Sequence, residues 1–382
     1  MRKICVVITA RASYSRIKAA LLELKNNPDV ELQLVVAASA MLNRYGSAYK
    51  QIEADGFVIN DKVYSILEGE NGITQVKTTG VGMMELASIF DRNKPDAVVT
   101  IADRYETIAT AIAAAYMNIP LIHIQGGEIT GNIDEKVRHA ITKLADVHLA
   151  ASRQAADRII RMGEDPDYVY VTGCPSIDLA AEAMRNPVLD FDPIERYGGS
   201  GEKPFEPKDY YVVIQHPVTD EAEHSYEQAM ETLNAMYELG KNVYWIWPNP
   251  DSGSDGTSKA IRIFREHKKP QNIWFFRDIP SKDFLRILLN SNGIVGNSSV
   301  GIRECSFLGV PAVNIGSRQS KRDRAANVVD VAPNKEAILA GIEKAGQFNR
   351  ESSTLYGDGC SGKKIADLIA TVPLRYSKRL NY

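Results

Sequence analysis

Carboxylates crowd one segment of this 382-residue sequence, and hydroxyls and cations gather in others. Gln125-Gly126-Gly127-Glu128-Ile129-Thr130-Gly131-Asn132-Ile133-Asp134-Glu135 holds three glycines, and its three carboxylates fall within eight positions. Glycine lets a ligand approach the backbone closely, and neighbouring acids can divide the two halves of a proton transfer. Arg138 and His139 follow at once. In Ala102-Asp103-Arg104-Tyr105-Glu106, an Asp–Arg pair can set a base beside an anion clamp, while Asp103 also suits a plain helix cap. Gly296-Asn297-Ser298-Ser299-Val300-Gly301-Ile302-Arg303-Glu304 puts two hydroxyls at a helix start, a setting for a diphosphate. Glu304, further inside that helix, can accept both hydroxyls of a ribose or serve as a capping-box acid. Arg11, in Thr9–Ser15, and Arg318, in Gly316–Gln319, add cations; Ser13 or Ser15 can equally cap the helix that follows. His216, just before Pro217, and the loop Trp247–Ser254 complete the polar clusters.

These clusters share one position: each follows a short apolar run. The predicted strands of the first half are Ile4–Ile8, Glu31–Ala37, Val63–Ile66, Ala97–Ile101, Leu121–Ile124, Val147–Ala150 and Val169–Val171. Helical patterns lie between them, at Ser15–Asn26, Met83–Arg92, Glu106–Met117, Asp134–Ala145 and Ser152–Met162. Continuous apolar strands alternating with helices predict a parallel sheet covered on both faces. From Asn186 to Lys208 proline, glycine and charge replace the pattern, a linker signature. The alternation restarts with strands at Tyr210–Ile214, Val243–Trp247, Ile273–Phe276, Gly293–Val295, Ala312–Ile315 and Val328–Val331. The expectation is two doubly wound α/β domains, with ligand outside the carboxyl ends of the strands, where the two domains face each other across a cleft. There is no internal repeat.

Composition narrows the function. Lys and Arg total 45 against 48 Asp and Glu, a net charge of −3, which argues against a dedicated nucleic-acid binder. The uncharged run Thr107–Ile122 is Ala-rich and broken by Asn118 and Pro120, short of the roughly 20 apolar residues of a membrane span. No membrane partner is expected. Cys5, Cys174, Cys305 and Cys360 lie far apart with no CxxC pair, as in a reduced cytoplasmic protein with no zinc site. Neither a GxGxxG fingerprint nor a P-loop is present.

The polar clusters together resemble a known family, the hydrolysing UDP-N-acetylglucosamine 2-epimerases of bacterial sialic- and legionaminic-acid routes, a type also found as the N-terminal half of an animal bifunctional enzyme. Almost the whole chain is involved, through Arg11–Ser15, Asp103–Glu106, His123–Asp146, Gly173–Asp178, Gln215–Thr219, Trp247–Ser254, Gly296–Glu304, Gly316–Gln319 and Tyr356–Gly359. The resemblance implies a GT-B fold: a Rossmann-like domain over 1–185, a linker over 186–208, a UDP-binding Rossmann-like domain over 209–360, and a helix over 361–382 packing back on the first domain. It implies that Arg11, Ser15, Arg104, His216, Asn249, Ser298, Ser299, Glu304 and Arg318 contact UDP or its phosphates. Asp103 and Asp134 fall on acidic positions implicated in catalysis.

The reaction so implied removes UDP from C1 and a proton from C2, giving a glycal, and then adds water to yield the free 2-epimer. No cofactor and no metal is implied, the partners are a UDP-sugar and UDP, and the assembly is a homodimer or homotetramer. One departure stands out. Where the family carries an acid, this chain has Gln125, which cannot exchange a proton. Either Glu128 or Glu135 supplies that function, or the substrate differs, with UDP-2,4-diacetamido-2,4,6-trideoxyglucose as the other candidate. The competing readings are a glycosyltransferase of the same fold, a non-hydrolysing epimerase whose product keeps UDP, and a UDP-sugar-binding regulator. Three carboxylates near an anionic ligand disfavour the last.

Overall fold

The computed structural model describes residues 1–43, 46–68, 72–101, 104–130, 133–248 and 253–381. Two parallel sheets organise the chain. The first holds β1 (Arg2–Ile8), β2 (Val30–Ala37), β3 (Asp61–Val63), β4 (Ala97–Ile101), β5 (Leu121–Ile124), β6 (Val147–Ala150) and β7 (Val169–Val171), in the order β3-β2-β1-β4-β5-β6-β7. The second holds β8 (Tyr210–Ile214), β9 (Asn242–Ile246), β10 (Ile273–Phe276), β11 (Gly293–Gly296), β12 (Ala312–Ile315) and β13 (Val328–Val331), in the order β10-β9-β8-β11-β12-β13. Strand order reverses between β1 and β4 in one sheet and between β8 and β11 in the other, so each has a switch point where loops diverge, the usual place for a ligand in sheets of this kind.

Contacts divide the chain into two compact units. The first comprises Met1–Ile129, Ile133–Asp178 and Gly357–Tyr382, and the second includes Leu179–Tyr356. In the first, Ile4, Val6 and Ile8 of β1 pack with Val99 and Ile101 of β4 and with Ile17, Leu21 and Leu24 of the helix Arg11–Asn26. The helix Ser361–Thr371 joins this core through Ile365, Ala366 and Ile369. Gly362 makes that crossing possible, because a Cβ there would lie 2.7 Å from the Ala19 carbonyl carbon. Asp178 tethers the helix start, accepting from the Ser361 and Gly362 amides at 2.8 and 2.6 Å.

Beyond that helix, Lys378 reaches the C-terminal end of the helix Ile133–Leu144, where its ammonium donates to the carbonyls of Lys143 and Ala145 and pairs with the buried Glu164 at 2.6 Å. Burial alone would raise the Glu164 carboxyl, but hydrogen bonds from His148, Lys143 and Lys378 outweigh it and hold it at about 2.

Several elements differ from the pattern read in the sequence. The stretch Asn186–Lys208 is built into the second unit: a helix over Pro193–Tyr197 is capped by Asp192, and Ser200 pairs antiparallel with Phe275, covering the edge strand β10. Its glycines serve close packing, since a Cβ on Gly199 would lie 2.5 Å from the Phe275 carbonyl oxygen. The helix expected over Met83–Arg92 runs Gly72–Asn93. Its first half is rich in Thr and Gly, which hides the periodicity, and Gly82 allows close approach to Ala109. The helix expected from Ser15 begins at Arg11 after an extended Ala10. Neither Ser13 nor Ser15 caps it. Among the described residues, no helix is long and apolar enough to cross a membrane.

Candidate active site

At the switch point of the second sheet, Gly296 holds φ +137°, and a Cβ there would run into the Ile214 carbonyl oxygen. Only glycine lets the end of β11 lie so close to the end of β8. The next residue locks the two loops together. The Asn297 side chain accepts from the His216 amide and donates to the His216 carbonyl, each at 2.8 Å, and Asn297 is 1% exposed. Its backbone carbonyl receives Arg318 Nη1 at 3.2 Å and Gln319 Nε2 at 3.0 Å. Residues from three strand ends thus converge: His216 after β8, Ser298 after β11 and Arg318 after β12.

Ser298 caps a helix of four residues, Ser299–Ile302, accepting from the Val300 amide. The continuous helix expected here breaks at Arg303 (φ −97°, ψ −70°), and Glu304 opens a second short helix, Glu304–Leu308. This placement excludes a capping box with Ser298, which would need the acid at Gly301. The Glu304 carboxylate is instead buried, and its Oε2 has no hydrogen-bond partner among the described residues. A buried carboxylate oxygen left unpaired is costly, and a ligand hydroxyl would relieve that cost. The Ser299 hydroxyl accepts from Arg303 Nη2 at 2.9 Å. Asn249 lies outside the described residues.

In the first unit, a polar chain ties the loops after β1, β2 and β4. Thr9 Oγ1 and Thr107 Oγ1 are 3.1 Å apart, and Ser39 Oγ donates to the Thr9 carbonyl at 2.9 Å and to Glu106 Oε1 at 3.2 Å. Glu106 is buried and also accepts from Arg104 Nε at 3.0 Å, which fixes the plane of that guanidinium. Arg11 is exposed and Ser15 half-buried in the first turns of the helix Arg11–Asn26, whose N-cap residue is Ala10, with no side-chain cap. Asp103 lies outside the described residues.

The loop after β5 departs from its sequence reading. Gly127 (φ +74°) and Gly126 were expected to admit a ligand, but both are packing positions. A Cβ at Gly127 would strike the Ala155 carbonyl, and one at Gly126 would sit 2.9 Å from Thr142 Oγ1. Gln125 also takes a left-handed conformation, φ +65°, and is 2% exposed, with Nε2 donating to Cys174 Sγ at 2.8 Å. Arg138, itself 1% exposed, donates to the Glu128 carbonyl at 2.7 Å and fastens this loop to the helix Ile133–Leu144. That helix carries half-buried Asp134 and Glu135 in its first turn, whereas Glu128 is buried. Glu135 Oε1 lies 3.4 Å from His139 Nε2. Among the described residues, no group of three or more His, Cys, Asp or Glu side chains is arranged to hold a metal ion.

The model of the UDP-N-acetylglucosamine 2-epimerase family matches residues 22–370. The chain belongs to that family. It is therefore an epimerase by kinship, an enzyme rather than a passive binder. A UDP-N,N'-diacetylbacillosamine 2-epimerase (hydrolyzing) of Legionella pneumophila is 32% identical over 100% of this chain and 98% of its own length. The polysialic acid biosynthesis protein P7 of Escherichia coli is 36% identical over 90% of this chain and 85% of its own. The crystal structure of a Neisseria meningitidis UDP-GlcNAc 2-epimerase bound to UDP-GlcNAc superposes with a TM-score of 0.80, at 15% identity, over 96% of this chain and 99% of that one. The fold is thus the GT-B type of the family's 2-epimerases.

Sequence reasoning missed Asn297, Glu106, Arg303 and Cys174 as members of the two clusters. Asn297 carried one signal, its place directly after a strand-ending glycine. Glu106 and Arg303 lie inside motifs already noted and were given no role there, while the contacts of Glu106 with Ser39 and of Cys174 with Gln125 join residues distant in sequence.

Proposed function

We propose that this protein is a hydrolysing UDP-sugar 2-epimerase that converts UDP-N-acetylglucosamine to N-acetylmannosamine and UDP, supplying a sialic-acid-type sugar route in the cytoplasm. The observation that carries the proposal is the convergence of His216, Ser298 and Arg318 at the second switch point, followed in the chain by the buried Glu304, whose Oε2 has no partner among the described residues; we read these as a nucleoside diphosphate site. Ser299 and Asn249 belong to the same proposed set, and Arg11, Ser15 and Arg104 are assigned to the phosphates.

The chemistry then runs in two stages. Asp103 and Asp134 serve elimination: a carboxylate takes the C2 proton, the C1–O bond breaks, and UDP leaves as the glycal C1=C2 bond forms. Arginines hold the charge that gathers on the leaving diphosphate. In the second stage C2 regains a proton from the other face, and water oxygen bonds to C1. Gln125 cannot carry a proton and is assigned to orienting the sugar, which leaves Glu128 or Glu135 for the second proton transfer.

A second substrate, UDP-2,4-diacetamido-2,4,6-trideoxyglucose, is favoured by the name of the Legionella relative and by the glutamine at 125. Incubation with each sugar nucleotide, followed by proton NMR, tests both: free 2-epimer and UDP are expected, with no UDP-linked epimer.

We also propose a homodimer or homotetramer. The helix Gly72–Asn93 leaves Ile73, Val76 and Met84 exposed at helical spacing, 67–74% each, an apolar face suited to a second copy. Sedimentation of the wild type beside Val76→Asp tests it.

A further inference from the structure

We infer that Glu135 and His139 form a hydration pair, in which Glu135 accepts the proton of the water that attacks C1 and His139 is the positioning residue that aims it. The inference rests on the proposed hydrolysing reaction and assigns within it the proton transfer that Gln125 cannot perform.

Three observations carry it. First, of the two carboxylates open for the role, Glu128 is 5% exposed and its own backbone is clamped by Arg138, whereas Glu135 is half-buried on the first turn of a helix. A carboxylate that must meet water needs access, and Glu135 has it. Second, Glu135 and His139 stand four residues apart on one helix face, with Oε1 and Nε2 3.4 Å apart. Third, His139 Nδ1 is buried without a hydrogen-bond partner among the described residues.

A hydrogen on Nδ1 would be buried without a partner among the described residues, which is costly; a lone pair there costs less. That favours the His139 tautomer with its proton on Nε2, from which it can donate to Glu135 Oε1. That hydrogen bond orients the carboxylate, as a base for water requires.

The balance is complete without a co-reactant. The glycal C1=C2 bond breaks to a single bond as C1 gains the water oxygen and C2 gains a proton from a protonated aspartate. Glu135 takes the proton shed by the water. With the C2 proton removed during elimination, the cycle releases one proton to solvent as UDP departs. A non-hydrolysing epimerase has no water to deprotonate, so the pair belongs to the hydrolytic half alone.

The test separates the two halves by product. Wild type, Glu135→Gln, His139→Leu and His139→Gln are incubated with each UDP-sugar, and UDP, glycal and free 2-epimer are counted by NMR. Glu135→Gln and His139→Leu should still expel UDP but release glycal in place of the 2-epimer, shifting the glycal-to-epimer ratio by at least about tenfold, a modest loss for a positioned base. His139→Gln can offer a side-chain N–H from a similar position and should restore the wild-type ratio. An unchanged ratio in His139→Leu overturns the inference, as does a parallel loss of UDP release and epimer in His139→Leu and His139→Gln alike. A wild type that yields no free 2-epimer from either sugar overturns the functional reading and this inference with it.

Discussion

The Asn297 side chain holds the His216 backbone from both sides, accepting its N–H and donating to its carbonyl at 2.8 Å each. One amide therefore joins the ends of β8 and β11 and sets where His216 and Ser298 stand. The Asn297 carbonyl extends the same joint to Arg318.

Removing that joint should disperse the nucleotide cluster. Asn297→Ala leaves two buried backbone groups unpaired, each costing about 1–3 kcal/mol. UDP affinity by calorimetry should fall at least tenfold, with a lower melting temperature for the second unit. Asn297→Asp keeps the acceptor but loses the donor, and should fall between the two. Wild-type affinity in both variants would detach Asn297 from the nucleotide site.

Glu304 tests the ribose assignment. Its Oε2 has no partner among the described residues, so Glu304→Ala should weaken UDP binding by roughly 1–3 kcal/mol, the scale of a charged hydrogen bond. Uracil or inorganic diphosphate, which lack ribose, should bind both proteins equally. An equal loss for diphosphate would move Glu304 off the ribose.

The aspartates test elimination. Asp134→Asn and Asp103→Asn should each lower UDP release at least about a hundredfold, the usual contribution of a positioned acid or base, while UDP affinity barely moves. Gln125→Glu should keep UDP release, because glutamate has the same shape and can keep the left-handed backbone, although it gives up the donation to Cys174 Sγ. Rates near wild type for both aspartate variants would end their assignment.

Glu164 makes a prediction in pH. Its carboxyl is lowered from 4.5 to about 2, so its stabilisation is complete above about pH 4.5 and fades as pH falls toward 2. Glu164→Gln should cost the first unit roughly 3–5 kcal/mol at pH 7, the scale for removing one partner of a buried ion pair. The gap between variant and wild type should narrow below pH 4.5 in thermal melts. A gap constant from pH 7 to pH 3 would show that the ionised form contributes nothing.

Much of this architecture was legible in the residues. Strands such as Ala97–Ile101 and Ala312–Ile315 are continuous apolar runs because both faces of a parallel sheet are covered, and they fall where the periodicity puts them. Val63–Ile66 was not so clear: β3 ends at Val63, opposite Ala37, where β2 stops offering partners. The glycines of the loop after β5 misled in the other direction. Gly126 and Gly127 look like a ligand cradle, yet their neighbours are Thr142 and Ala155, contacts that no local pattern encodes. Glu304 likewise departs from its local reading, opening a second short helix after a break at Arg303 instead of capping the helix that Ser298 starts.

The most direct test is the reaction itself, run in deuterium oxide. With UDP-N-acetylglucosamine or its diacetamido-trideoxy counterpart and no acceptor, proton NMR should show UDP and a free 2-epimeric sugar appearing in equal amounts, with deuterium at C2. That label records the proton lost in elimination and replaced during hydration. A product still joined to UDP, a sugar that retains its C2 proton, or release only when an acceptor is added would contradict the account.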